Sequence, residues 1–395
     1  MKPRPKPAGP RPQPATDPGA RPEAAPLAAD PRRMEVFLVA TPGLEQPLAD
    51  EARALGFDAL VQPGGVVFHG GWPEVWRANL MLRGATRVLA RIGAFRAMHP
   101  AQLDKRARRF PWADWLRADV PLRIEATSRK SRIYHAGAIT QRIEAAIRDT
   151  LGAPIAEDAP VTLKVRIEDD LCTLSLDTSG ESLHKRGHKQ AVGKAPMRET
   201  LAAMFLRQCG FDGAEPVLDP MCGSGTFVIE AAEIAAGLGP GRLRGFAFQH
   251  LPGFDAAAFD ALRPAAAPAP ALLFHGSDRD PGAIRMSREN AERAGVAAWT
   301  DFQNLAFADL LRPEGPPGLV IINPPYGARI GNKGPLFGLH AAMGEVLRAR
   351  FQSWRVGLVT TDAALARATG LPFREPGPHI AHGGLKIRLW QTGPL

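Results

Sequence analysis

Two short segments of this chain carry residue types that can do chemistry together. In the later one, the apolar run Leu319-Val320-Ile321-Ile322 leads into Asn323-Pro324-Pro325-Tyr326-Gly327. The Asn323 amide oxygen and the Pro324 carbonyl can both accept hydrogen bonds from a planar NH2 group. The two prolines stiffen the segment and keep those acceptors aimed. Holding the amine would direct its nitrogen at an electrophile, a positioning effect that needs no strong base. Tyr326, one of only two tyrosines in the chain, can stack on the planar group. A structural turn with one surface tyrosine is the competing reading of the segment taken alone.

The earlier segment is Leu218-Asp219-Pro220-Met221-Cys222-Gly223-Ser224-Gly225-Thr226. A strand end, an acid, two closely spaced glycines and then an apolar helix from Thr226 make a ligand loop. The glycines let the chain turn tightly and pass close to a cofactor. No Gly-Lys-Ser/Thr closes the loop, which disfavours ATP hydrolysis, and the dinucleotide glycine triplet is incomplete. S-adenosylmethionine carries an ammonium group, so Asp219 beside the loop suits it; capping the next turn is the acid's alternative role. Asp278, after a second strand read at Leu272 to His275, can accept ribose hydroxyls. Asp280 reads as the N-cap of the next helix. The chemistry that uses both segments is methyl transfer from S-adenosylmethionine to a nitrogen.

The elements around them fall into blocks. Residues 1–33 are rich in Pro, Ala and Arg with little to bury, and are expected to be a disordered basic tail. From Met34, strands near 34–40, 66–69 and 87–95 alternate with helices over 43–55 and 73–82, an α+β unit taken as 34–100. A second α+β unit, 101–178, has strands at 121–128, 161–168 and 171–177 and a helix over 136–151. An acidic turn, Asp169-Asp170, joins its last two strands. Residues 179–195 form a basic connecting arm. From 196 to 395, short apolar strands alternate with helices, the pattern of a mostly parallel sheet covered on both faces. The segment Lys386 to Trp390 is placed at an edge of that sheet, and Pro264 to Pro270 in a surface loop.

The net charge is +9. The tail holds seven basic residues against three acidic ones, and the rest of the excess is uneven: nine Lys or Arg lie between Lys105 and Arg132 against three acids. Clustering of one sign points to a polyanion, with Arg129, Lys130, Arg132, Lys185, Arg186 and Lys189 as its expected contacts. Cys172, Cys209 and Cys222 are too widely spaced for a zinc site or a disulfide framework, so no metal is expected. No apolar run is long enough to span a membrane and no secretory leader is visible, which places the chain in the cytoplasm.

Four segments together resemble the THUMP-containing RNA guanine-N2 methyltransferases: Ser131-Arg132-Ile133-Tyr134-His135 with its helix, Leu183 to Ala203, Leu218 to Glu230, and Ile322 to Gly327. Within that family the likeness is to the amino-terminal half of the bacterial 23S rRNA enzymes. The resemblance implies a ferredoxin-like unit, a THUMP domain that engages structured RNA, and a Rossmann-like class I methyltransferase domain. It implies that Asp219, Gly223 and Gly225 lie around the methionine part of S-adenosylmethionine, with Pro196 and Thr200 bordering the cofactor; Met221, Cys222 and Thr226 of the same loop are also expected to bind it. Asp278 would hold the ribose, and Asn323, Pro324, Pro325 and Tyr326 the target guanine. The family's usual acid near the adenine amine is replaced by Asn304, with Asp309 as the other candidate. The substrate implied is 23S rRNA or a large-subunit precursor, with tRNA or an inactive assembly factor as alternatives. Some relatives carry a second methyltransferase domain; this sequence stops at Leu395, and a single activity is expected of it.

Overall fold

A computed structural model describes residues 33–190, 197–264, 269–325 and 334–395. Most of the tail, part of the basic arm with Pro196, part of the Pro264–Pro270 loop, and Tyr326 lie outside the described residues.

The amino-terminal half is built from β1 (Met34–Val39), α1 (Glu45–Ala54), β2 (Leu60–Gln62), β3 (Gly65–Gly70), α2 (Trp72–Met81), β4 (Arg87–Arg96), α3 (Pro100–Ala107), β5 (Leu122–Arg129), α4 (Ala136–Leu151), β6 (Val161–Glu168) and β7 (Leu171–Asp177). Its strands form one seven-stranded sheet in the order β2-β3-β1-β4-β7-β6-β5. The two α+β units read from the sequence are therefore sewn together by β4 and β7, which pair antiparallel from Leu89↔Asp177 to Arg96↔Leu171. That pairing covers an edge each unit would otherwise expose. The β6–β7 hairpin turns through Asp169 and Asp170, both at positive φ, the backbone that a tight two-residue hairpin requires. Along β6 the burial alternates, with Val161, Leu163, Val165 and Ile167 facing the core.

The carboxyl-terminal half contains α5 (Glu199–Gln208), β8 (Val217–Asp219), α6 (Thr226–Ala235), α7 (Ala256–Asp260), β9 (Phe274–Asp278), α8 (Pro281–Ala294), β10 (Thr300–Asn304), β11 (Leu319–Ile322), α9 (Gly334–Arg350), β12 (Arg355–Thr360), α10 (Ala363–Ala368), β13 (Ile380–His382) and β14 (Leu385–Gln391). The sheet order is β10-β9-β8-β11-β12-β14-β13. All neighbours are parallel except β14, which is antiparallel to both β12 and β13. The strand expected at the edge is thus internal. Val217, Ile321 and Phe274 pack with α5, α6 and α8 on one face; Leu218, Val320 and Val356 pack with α9 and α10 on the other. Chain order reverses between β8 and β11, so the carboxyl ends of those strands open a crevice where ligands sit in such sheets.

The halves are locked together through α6. The Arg83 guanidinium, from the α2–β4 connection, lies 3.0 Å from Glu230 and 3.3 Å from Glu233. Arg186 lies 3.0 Å from the other Glu230 oxygen and donates to the Arg83 carbonyl at 2.9 Å. Burial pushes the Glu230 carboxyl up, but Arg186 and Arg83 more than offset it and hold it below its ordinary value. Among the described residues, no helix is long and apolar enough to cross a membrane.

Candidate active site

Asp219 closes β8 and is almost wholly buried. Its Oδ1 accepts one hydrogen bond, from the Met221 amide at 3.1 Å. Burial pushes its carboxyl up to about 8; the Met221 amide pulls it down, and nearby Asp278 adds to the rise. Among the described residues, no cation pairs with this carboxylate.

The loop that follows is pinned from both sides. The Cys222 amide donates to the Ser277 carbonyl at 3.0 Å, the Gly223 amide to Asp278 Oδ2 at 3.0 Å, and the Ser287 hydroxyl to the Gly223 carbonyl at 2.9 Å. Gly223 (φ 55°) faces open space: nothing lies within 4 Å of where a Cβ would stand. Gly225 (φ 81°) is confined instead, with Phe302 and Ser287 3.1 Å from that position. One glycine leaves room for a ligand and the other lets the loop close onto α8.

Asp278 is the last residue of β9, not a residue beyond it; the strand runs later than the apolar run suggested because His275 to Asp278 pair with β10. Its second oxygen accepts from the Asp280 amide at 3.0 Å, and Asp280 caps α8 through Gly282. Asn304, at the matching end of β10, donates to the Asp278 carbonyl at 2.9 Å through its amide nitrogen, so its amide oxygen is not used in that contact. Asp309 lines a cavity of about 770 Å³ with Leu310 and Leu311, and Gln303 and Leu305, on either side of Asn304, line it too.

Asn323 stands just past β11, whose Leu319 and Val320 pair with Val217 and Leu218 of β8. This brings Asn323 and Asp219 to one edge of the sheet. The Asn323 Oδ1 is buried and has no hydrogen-bond partner among the described residues. Pro324 is buried behind it and Pro325 is exposed. Leaving a buried amide oxygen unpaired costs about 1–3 kcal/mol, so the position calls for a donor from a ligand. The Thr200 hydroxyl, in the first turn of α5, is likewise buried and unpaired.

The Thr226 hydroxyl accepts from Lys189 at 2.9 Å, which leaves its own proton free to donate. Two expectations are corrected. Lys189 is half-buried and its ammonium is taken up, bound also to the Met197 carbonyl at 2.8 Å and paired with Glu199 at 3.2 Å, so it is not an RNA contact. Arg186 is buried against Glu230 and cannot reach RNA either. Lys185 remains exposed, paired with Glu181. On the amino-terminal half, Arg129, Lys130 and Arg132 are exposed together at the end of β5. Asp170 fixes their loop by accepting from Ser131 Oγ at 2.8 Å and the Arg132 amide at 2.9 Å. Tyr134, 71% exposed and tilted against His135, adds an aromatic face that the charge count overlooked.

This sheet order, with an acid ending each of the strands β8 and β9, defines a class I S-adenosylmethionine-dependent methyltransferase fold. The RMKL-like methyltransferase domain family matches residues 186–374, the RlmL ferredoxin-like domain 35–89 and the THUMP domain 100–177. A Synechocystis sp. protein named as an RNA methyltransferase is 31% identical over 367 residues, covering 89% of this chain and 95% of its own. The ribosomal RNA large subunit methyltransferase K/L of Syntrophotalea carbinolica is 37% identical over 384 residues, covering 90% of this chain. The chain spans about half (53%) of that relative's length. The crystal structure of SMU.472 complexed with S-adenosylhomocysteine superposes with a TM-score of 0.82 at 28% identity, covering 92% of this chain and 98% of its own. The chain belongs to the RMKL-like methyltransferase family, and its cofactor is S-adenosylmethionine. The residues present fit that cofactor: an uncompensated buried carboxylate at Asp219, open space over Gly223 and an unpaired hydroxyl on Thr200.

Proposed function

We infer that this chain methylates the exocyclic N2 of a guanine in 23S rRNA. The observation that carries the reading is the buried, unpartnered Asn323 Oδ1 at the sheet edge it shares with Asp219. When bound, the cofactor supplies a methyl group on a positively charged sulfur. Asp219 holds the ammonium of its methionine portion, with Gly223 and Thr200 lining that end and Met221 and Cys222 fixing the loop. Asp278 accepts ribose hydroxyls through lone pairs its two backbone donors leave free, and Asn304 Oδ1 accepts from the adenine amine. Asn323 Oδ1 and the Pro324 carbonyl each accept one N–H of the guanine NH2, which fixes the direction of its nitrogen before transfer. The guanine must leave its stack to reach them. The exposed basic loop around Arg129, Lys130 and Arg132 supplies phosphate contacts that offset that cost.

The RNA reading draws on the THUMP match and on relatives named for RNA methylation. Incubation with methyl-labelled cofactor and separated rRNA and tRNA pools tests it. Label in N2-methylguanosine from large-subunit rRNA is expected. Label confined to tRNA would reassign the substrate, and label on adenine would reject the proposed guanine.

A further inference from the structure

The basic loop at the end of β5 lies at one end of the amino-terminal sheet, and the methyltransferase half, with its β13–β14 hairpin, meets the other end. Arg388 of β14 pairs with Thr360, the last residue of β12, so Leu385 to Ile387 project past the carboxyl edge of the sheet. The hairpin turns through Gly383 and Gly384, both at positive φ. Lys386 sits opposite Ala381, next to His382. The chain leading into β13 touches the other half: a Cβ at Gly43, in the β1–α1 connection, would stand 3.2 Å from the Pro378 ring. Leu44, Met197, Ile380 and Ile387 share one apolar cluster, which brings the start of α5 to the same seam. Arg198 caps that helix two residues before the unpaired Thr200. Its field and that of Lys189 both hold His382 below its ordinary value, after burial.

Arg198 and Lys386 are exposed, and neither side chain has a hydrogen bond or ion pair among the described residues. Most exposed cations on the amino-terminal sheet differ: Arg123, Arg129 and Arg166 each face a carboxylate. The Nδ1 of His382 itself is buried and has no hydrogen-bond partner among the described residues.

We propose that Arg198 and Lys386 form a phosphate-binding wall, at the carboxyl edge of the methyltransferase sheet, that receives the backbone of the substrate RNA. The inference rests on RNA being the substrate. It adds two contacts on the methyltransferase half, each to one phosphodiester of an unstacked strand.

The test is the double variant R198Q/K386Q against deproteinised 23S rRNA, with binding measured from 50 to 300 mM salt. Two lost contacts to a single strand should reduce the slope of log affinity against log salt by about 1.4, and weaken binding about tenfold near 150 mM. S-adenosylhomocysteine affinity should be unchanged, which also reports that the variant is folded. The charge-preserving pair R198K/K386R should restore the slope. An unchanged slope and affinity in R198Q/K386Q would overturn the wall while leaving the RNA reading intact. Absence of rRNA binding and labelling by the wild-type protein would overturn that reading and the wall with it.

Discussion

Raising the pH from 6 to 8 should tighten cofactor binding by as much as about fiftyfold, with most of the change carried by Asp219. In the free protein its carboxyl is pushed up to about 8 by burial, so at pH 6 only about one molecule in a hundred is ionised there. In the proposed role of Asp219, the ammonium of the cofactor needs the ionised form, and its arrival should drive the proton off. Apparent affinity therefore climbs nearly tenfold per pH unit below 8 and levels above it. Titration calorimetry of S-adenosylhomocysteine in buffers of different ionisation enthalpy reads both parts: the dissociation constant and close to one proton released at pH 6. Asp219→Asn should bind more weakly at pH 8 and lose this dependence. The stability of the free protein runs the other way. A carboxyl raised above its unfolded value near 3.8 contributes fully below that value, and the contribution is lost as pH rises toward 8. A dissociation constant flat from pH 6 to 8 with no proton release, or an Asp219→Asn variant that keeps the slope, would refute this account.

Asn323→Ala should keep cofactor affinity and lose methyl transfer by about 10²–10³, the scale for one preorganised polar group in a reacting site; unchanged turnover would reject the amine clamp. Neutralising Arg129, Lys130 and Arg132 together to Gln should weaken RNA binding and flatten its salt dependence, without moving S-adenosylhomocysteine affinity. Glu230→Ala removes the carboxylate shared by Arg83 and Arg186 and should destabilise the fold by about 3–5 kcal/mol, measured by denaturant unfolding. A loss below 1 kcal/mol would mean that water reaches the two guanidiniums.

The parts of the site that could be read from the sequence are those written in consecutive residues. An apolar run ending in Asn323-Pro324, or in Asp219 followed by two glycines, marks a strand end and its loop without long-range information. The helix over 136–151 and the strands at 161–168 and 171–177 were equally legible, because periodicity is local. Arg186 and Lys189 were misread because their partners, Glu230 and Thr226, lie 44 and 37 residues away. A cation counted along the chain looks free until the fold brings its carboxylate. The β4–β7 pairing escaped for the same reason. β9 was placed too early because His275-Gly276-Ser277-Asp278 has no apolar signal and is extended only through its neighbours. The helix at Pro100–Ala107 went unread because its charged face masks two buried residues, Leu103 and Ala107, although His99-Pro100 is a fair start signal.

The join between β4 and β7 makes the amino-terminal half a single stiff piece, and the Arg83–Glu230–Arg186 knot bolts that piece to the helix behind the cofactor loop. On the proposed RNA reading, a molecule assembled this way would work as a caliper. The span between its grasping tip and its reacting edge is set by covalent structure and buried charge, so the nucleotide chosen is the one lying that far along the RNA fold from the place that is held. Lengthening or shortening the RNA between those two points should silence the target rather than shift methylation to the next guanine.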